Sequence, residues 1–181
     1  TVSGDVVLTA AVEEAINFDS VNIKGKLVTE ETPVAKARTM NAVASLNPIA
    51  SLNAVAEEKP RTTLKITFAN SVVAYVEIKK VDTTLSVIDA TQITLLKVES
   101  NGASIQTDPG VILPNLNISK GVTQIELNAS IAKVEIDTND DIKISGSGNF
   151  QSVEVKTDKT VELATTGTIA TLATDTANVK L

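Results

Sequence analysis

Apolar and polar positions recur along this chain with a fixed order. Writing φ for an apolar residue, φxxφxφ occurs at Val73-Val76-Ile78, Ile93-Leu96-Val98, Leu113-Leu116-Ile118, Ile131-Val134-Ile136 and Phe150-Val153-Val155. A degenerate copy follows at Ile169-Leu172-Thr174, and the starts are spaced by 20, 20, 18, 19 and 19 residues. An earlier copy is read at Phe18-Val21-Ile23. A shorter pattern, φxφ, sits between the copies: Leu64-Ile66, Leu85-Val87, Ala103-Ile105, Ile125-Leu127, Ile142-Ile144, Val161-Leu163 and Val179-Leu181. The links are rich in Gly, Asn, Asp, Ser and Thr, residues that form turns and, for Gly and Asn, tolerate positive φ.

Each unit of about 19 residues therefore carries two short strands. A strand of three or four residues buries little alone, but identical units stacked about 4.8 Å apart join their inward residues into columns. The unit is too short for a strand–helix pair with its loops. A β-sandwich has short strands too, but does not need φxxφxφ at fixed spacing. The expected fold is all-β: a single domain over 1–181, a parallel, right-handed β-helix with coils of about 19 residues. Outward charges agree with that register, since Asp137, Lys156 and Asp175 would form one column and Glu126, Lys143, Glu162 and Lys180 another. Glu135 beside Glu154 runs against it.

Residues 29–61 depart from the pattern. The segment is Ala-rich, and Thr32-Pro33 and Asn47-Pro48 read as N-cap plus first-turn pairs of two short helices. We read it as an insertion that packs on the side of the solenoid or forms a mobile loop, with a partner-binding helix as the functional alternative.

Composition narrows the chemistry. Of 181 residues, 43% are hydrophobic, which is globular, and the net charge of −6 offers no basic footprint for nucleic acid. No apolar run is long enough to insert in a membrane. With no Cys and no His, disulfides, thiolate chemistry, Ser-His-Asp relays and the usual zinc sites are excluded.

Few residues remain as candidates. On the repeat faces the candidate acids are Glu77, Glu135 and Glu154. Like-charge repulsion between Glu135 and Glu154 would raise one pKa, and either could contact a glycan. Tyr75 is the sole Tyr, with no Trp to make an aromatic platform, so it is the remaining glycan-stacking candidate. In Asp137-Thr-Asn-Asp-Asp141 the spacing begins like a calcium loop, but Ile142 and Gly148 stand where an EF-hand needs Gly and Glu. Asp137, Asp140 and Asp141 are left as candidates for a turn-bound Ca²⁺, against a solvated turn with no cofactor. Two sequons, at Asn117 and Asn128, matter only in a eukaryotic secretory pathway.

Gly4-Asp5-Val6, Phe18-Asp-Ser-Val-Asn-Ile-Lys-Gly25, Asn70-Ser71 with Val73 and Val76, and "KVESNGASI" at 97–105 together resemble β-helical regions of Firmicute cell-surface proteins that carry S-layer homology domains. The resemblance implies an extracellular, non-enzymatic module of a bacterial cell surface or S-layer, a rigid spacer, assembly or adhesion element. Its partners would be other domains of a larger surface protein, neighbouring copies or a cell-wall polysaccharide. No S-layer homology module is present, so wall anchoring is not implied. Because the chain stops inside a coil pattern, the expectation is a fragment of something longer. The alternative is a glycan-binding adhesin or an inactive polysaccharide-lyase-like scaffold.

Overall fold

The computed structural model describes residues 1–10, 14–31, 63–174 and 178–181. Among them the chain is all-β. The strands are β1 (Val6–Ala10), β2 (Glu14–Asp19), β3 (Asn22–Glu31), β4 (Leu64–Ala69), β5 (Val72–Ile78), β6 (Thr83–Ile88), β7 (Gln92–Val98) and β8 (Ala103–Thr107). They continue as β9 (Ile112–Ile118), β10 (Gln124–Asn128), β11 (Ser130–Ile136), β12 (Ile142–Gly146), β13 (Asn149–Val155), β14 (Thr160–Thr165), β15 (Leu172–Thr174) and β16 (Asn178–Lys180). Odd-numbered strands form one eight-stranded sheet and even-numbered strands another, each in chain order. All strand pairings are parallel, so each turn of chain adds one strand to each sheet. This is a parallel β-solenoid of about seven turns.

The φxxφxφ residues are the inner columns of the odd-strand sheet. Ile131 pairs with Leu113 and Phe150, Val134 with Leu116 and Val153, and Ile136 with Ile118 and Val155. These side chains are almost wholly buried, and each full burial of such a residue is worth about 1.5–3 kcal/mol. The spacing of three between the first two φ residues also has a structural cause. The register skips one residue per coil, Ala132 opposite Gln151 and Pro114, so the strand bends and two successive side chains face outward. Pro114 stands at the skipped position, and the ladder to β11 runs past it from Ser130–Ile112.

Three expectations are corrected. Phe18 is not the first φ of an early copy: it lies in β2, paired and stacked with Phe68 in the even-strand sheet, ring centroids 4.9 Å apart. The early copy is Ile23-Leu27-Thr29, opposite Val73, Val76 and Ile78, with a bulge between Ile23 and Lys26. Thr29, Glu30 and Glu31, read as the start of the insertion, complete β3. The Thr29 hydroxyl accepts the Lys79 and Lys80 N–H groups, and Glu31 accepts from Val81 N–H at 2.9 Å. The remainder of 29–61, with its expected helices and caps, lies outside the described residues.

In the even-strand sheet the φxφ residues other than the exposed Leu181 do face inward; the register is the expected one at β8–β10, β12–β14 and β14–β16 and slips by two at β4–β6, β6–β8 and β10–β12. Leu85-Val87 lies against Ile66-Phe68, and Ile144 lies opposite Ile125 where Ile142 was expected. A slip of two leaves every side chain on its own face, which is why the pattern does not reveal it. Glu126 accordingly leaves its expected column. It pairs with Ser145, and its carboxylate accepts from the Ser104 hydroxyl at 2.9 Å. Lys143 and Glu162 are neighbours as expected, 2.7 Å apart.

Candidate functional site

The outward face of the odd-strand sheet collects most of the candidate residues. Alternation along β5 sends Tyr75, Glu77 and Lys79 outward. Lys97 and Glu99 follow from β7 and its exit, and Lys133, Glu135, Glu154 and Lys156 from β11, β13 and the residue after it. The charges close into two squares. In the first, Lys79 lies 3.5 Å from Glu77 and 3.9 Å from Glu99, while Lys97 lies 4.0 Å from Glu77 and also pairs with Glu99. In the second, Lys133 lies 2.7 Å from Glu154 and 3.7 Å from Glu135, and Lys156 lies 2.8 Å from Glu135 and 3.5 Å from Glu154. Each square is electrically neutral.

Glu135 and Glu154 are register neighbours, as the repeat predicts. The expected rise in pKa from their repulsion does not occur at Glu154. The hydrogen-bonded Lys133 ammonium, seconded by Lys156, holds its carboxyl below the ordinary glutamate value, while Lys133 and Lys156 are themselves pushed up. Such a carboxylate keeps its charge at neutral pH and has no proton to donate. The cations that reverse the expectation stand two positions off the carboxylate column. The sequence reading compared only residues directly one coil apart and so missed them. Their signal was there: Lys133 and Lys156 are the diagonal neighbours, which side chains of that length reach.

Tyr75 is half-buried, with the Lys26 Nζ 5.0 Å from its ring centroid. Burial raises its hydroxyl pKa, and the charge of Glu77 adds to the effect. With a lysine over its ring, it is a poor platform for a sugar. Between the squares, β9 presents Asn115, Asn117 and Ser119. A shallow depression of about 240 Å³ is lined by Lys97, Glu99, Ser119, Lys120 and Asp137.

The "DTNDD" turn lies at a corner of the coil and does not gather its carboxylates. Asn139 accepts the Gly121 N–H at 3.0 Å, Asp141 accepts the Thr160 N–H at 2.8 Å, and the buried Thr138 donates to the Val122 carbonyl. Its polar atoms thus hold the backbones of the coils on either side. Among the described residues no three Asp or Glu converge on a metal-sized space. Other turns work alike. Asn101 accepts from the Thr123 and Gln124 N–H groups and donates to the Gly121 carbonyl, and Asn128 and Asn149 accept from Ser147 and Thr168. In the resembling N-terminal motif, Asp5 accepts the Lys26 N–H at 2.8 Å, and Gly25 passes so close to Gly4 that a Cβ would collide with it.

Comparison with known proteins returns no match: no family model fits the chain, and no curated protein or solved structure is similar to it. The resemblance to Firmicute surface β-helices therefore stands on the quoted motifs alone.

Proposed function

We propose that this chain is a non-enzymatic structural module of a bacterial cell-surface or S-layer-associated protein, extracellular, acting as a rigid spacer and assembly or adhesion element. One observation carries the reading. The functional groups of its most charged face are spent on one another, in two closed squares, and Asn101, Asn139 and Asp141 of its turns are spent on neighbouring coils. What such an arrangement does well is resist deformation. Two parallel sheets run through the described coils, and extending them adds about 4.8 Å of length per coil.

Single-molecule stretching of the chain between marker domains of known strength tests this. The solenoid should give way at higher force than the markers and lengthen in increments of whole coils. Yielding below the markers, or turnover of a cell-wall polysaccharide by the purified chain, would overturn the reading. A glycan array run with and without calcium separates the adhesin alternative: binding lost on Tyr75→Ala or Glu135→Gln would favour it. Antibody labelling of intact cells tests the surface location.

A further inference from the structure

The ladders of the odd-strand sheet are not uniform. Between β5 and β7 the pairing begins at Val72–Gln92 and continues to Ile78–Val98. Between β9 and β11 it begins at Ser130–Ile112, and between β11 and β13 at Ser130–Asn149. Between β7 and β9 it begins only at Leu96–Leu116; the pairs at the two ends of the sheet are short too, beginning at Val6–Leu27 in β1–β3 and Val153–Leu172 in β13–β15, so β7–β9 is the shortened pair in the interior. The missing part of that ladder lies next to Pro114, which has no N–H to donate. There the Asn115 side-chain amide reaches the Thr94 carbonyl at 3.3 Å. The ion squares avoid the same place. One ties β5 to β7 and the other ties β11 to β13, whereas β9 carries no charged outward residue.

We propose that the seam between β7 and β9 is a built-in yield point, where the interior of the odd-strand sheet opens first, between two coil pairs stapled by the ion squares. The opening starts in the Ile112–Asn115 half of β9. The opposite side stays closed, because Asn101 grips Thr123, Gln124 and Gly121 of the next coil there. The seam thus works as a hinge on the Asn101 turn. Networks of ion pairs contribute where isolated surface pairs do not, and salt screens them. The contrast between seam and staples should therefore depend on ionic strength.

Native-state hydrogen exchange on the full chain at neutral pH reads this without load, so its failure is separable from failure of the mechanical reading. The Ile112 and Asn115 amides should exchange several-fold faster than those that β5 and β7, or β11 and β13, share. Raising the salt to half-molar levels should speed exchange in β5–β7 and β11–β13 and leave the seam unchanged. Pro114→Thr, the residue at the equivalent place in β7, should slow exchange at the seam. Should that variant fail to fold, Glu135→Gln with Glu154→Gln provides the second arm, in which β11–β13 alone loses protection. Even protection along the odd-strand sheet, or a salt response at the seam equal to that at the staples, would overturn the proposal.

Discussion

Gly110 and Gly146 both hold positive φ, 92° and 119°, yet their surroundings differ. Nothing lies near a Cβ built on Gly110, while one built on Gly146 would collide with the Leu127 carbonyl of the preceding coil. Backbone strain alone costs of order 1–3 kcal/mol. Gly110→Ala should lose about that much, and Gly146→Ala distinctly more, since a ladder carbonyl must also move. Urea midpoints of the two variants, compared at equal slope, check this. The acidic turn gives a second residue-scale expectation. Asp141 and Asn139 already bind neighbouring backbone N–H groups, so neither chelator nor added Ca²⁺ should move the melting temperature. A calcium-dependent rise lost in Asp140→Asn would show a cation in the turn. The acidic letters alone left a calcium site open because sequence does not say which backbone groups the next coil presents.

At the scale of the strand, the inner columns of the odd-strand sheet were legible down to the residue, because φxxφxφ records both burial and the bend. The even-strand sheet was legible only by face. Its short φxφ repeats every two residues, so a slip such as Leu85 onto Ile66 leaves no trace in the pattern. Phe18 was misplaced for a related reason: the bulge at Gly25 spaces Ile23 and Leu27 by four and hides the true early copy. The ion squares were legible only through diagonal neighbours, since a column read one coil apart pairs Glu135 with Glu154 and passes over Lys133 and Lys156. They now carry a pH prediction. The Glu154 and Glu162 carboxyls are depressed, by Lys133 and by Lys143. Their contribution is full above the ordinary glutamate value, about 4.3, and is lost as pH falls through their lower folded values. Lys97, Lys133 and Lys156 are raised, chiefly by hydrogen bonds to Glu99, Glu154 and Glu135. Their contribution is present below about pH 10.4 and is lost as pH rises through their higher folded values. As far as these groups act, stability should be flat across neutral pH and fall at both ends. Glu154→Gln should flatten the acid limb in urea titrations, and 0.5 M salt, on the order of a 4 Å screening length, should shrink both limbs.

For the molecule as a whole, the decisive property is that each coil meets only its neighbours, so stability approximates a sum of coil terms and nearest-neighbour terms. That permits a test no ordinary globular fold would survive. In the register of β11 against β13, Ser130 lies opposite Asn149 and Ile131 opposite Phe150. Excising residues 131–149 therefore joins Ser130 to Phe150, which takes the place of Ile131 on Leu113. In the other sheet β14 comes to lie on β10, with Leu163 where Ile144 sat against Ile125. Every inward column stays apolar; Lys133 and Glu135 of the second square, the Lys143–Glu162 pair and the inter-coil bonds of Thr138, Asn139, Asp141 and Asn149 are lost. The shortened chain should keep the far-ultraviolet spectrum of the parent and unfold cooperatively, with a lower urea midpoint and a smaller slope, since less surface is exposed on unfolding. Loss of all cooperative unfolding would mean that the coils are not interchangeable, and that the repeat describes the sequence better than it describes the energetics.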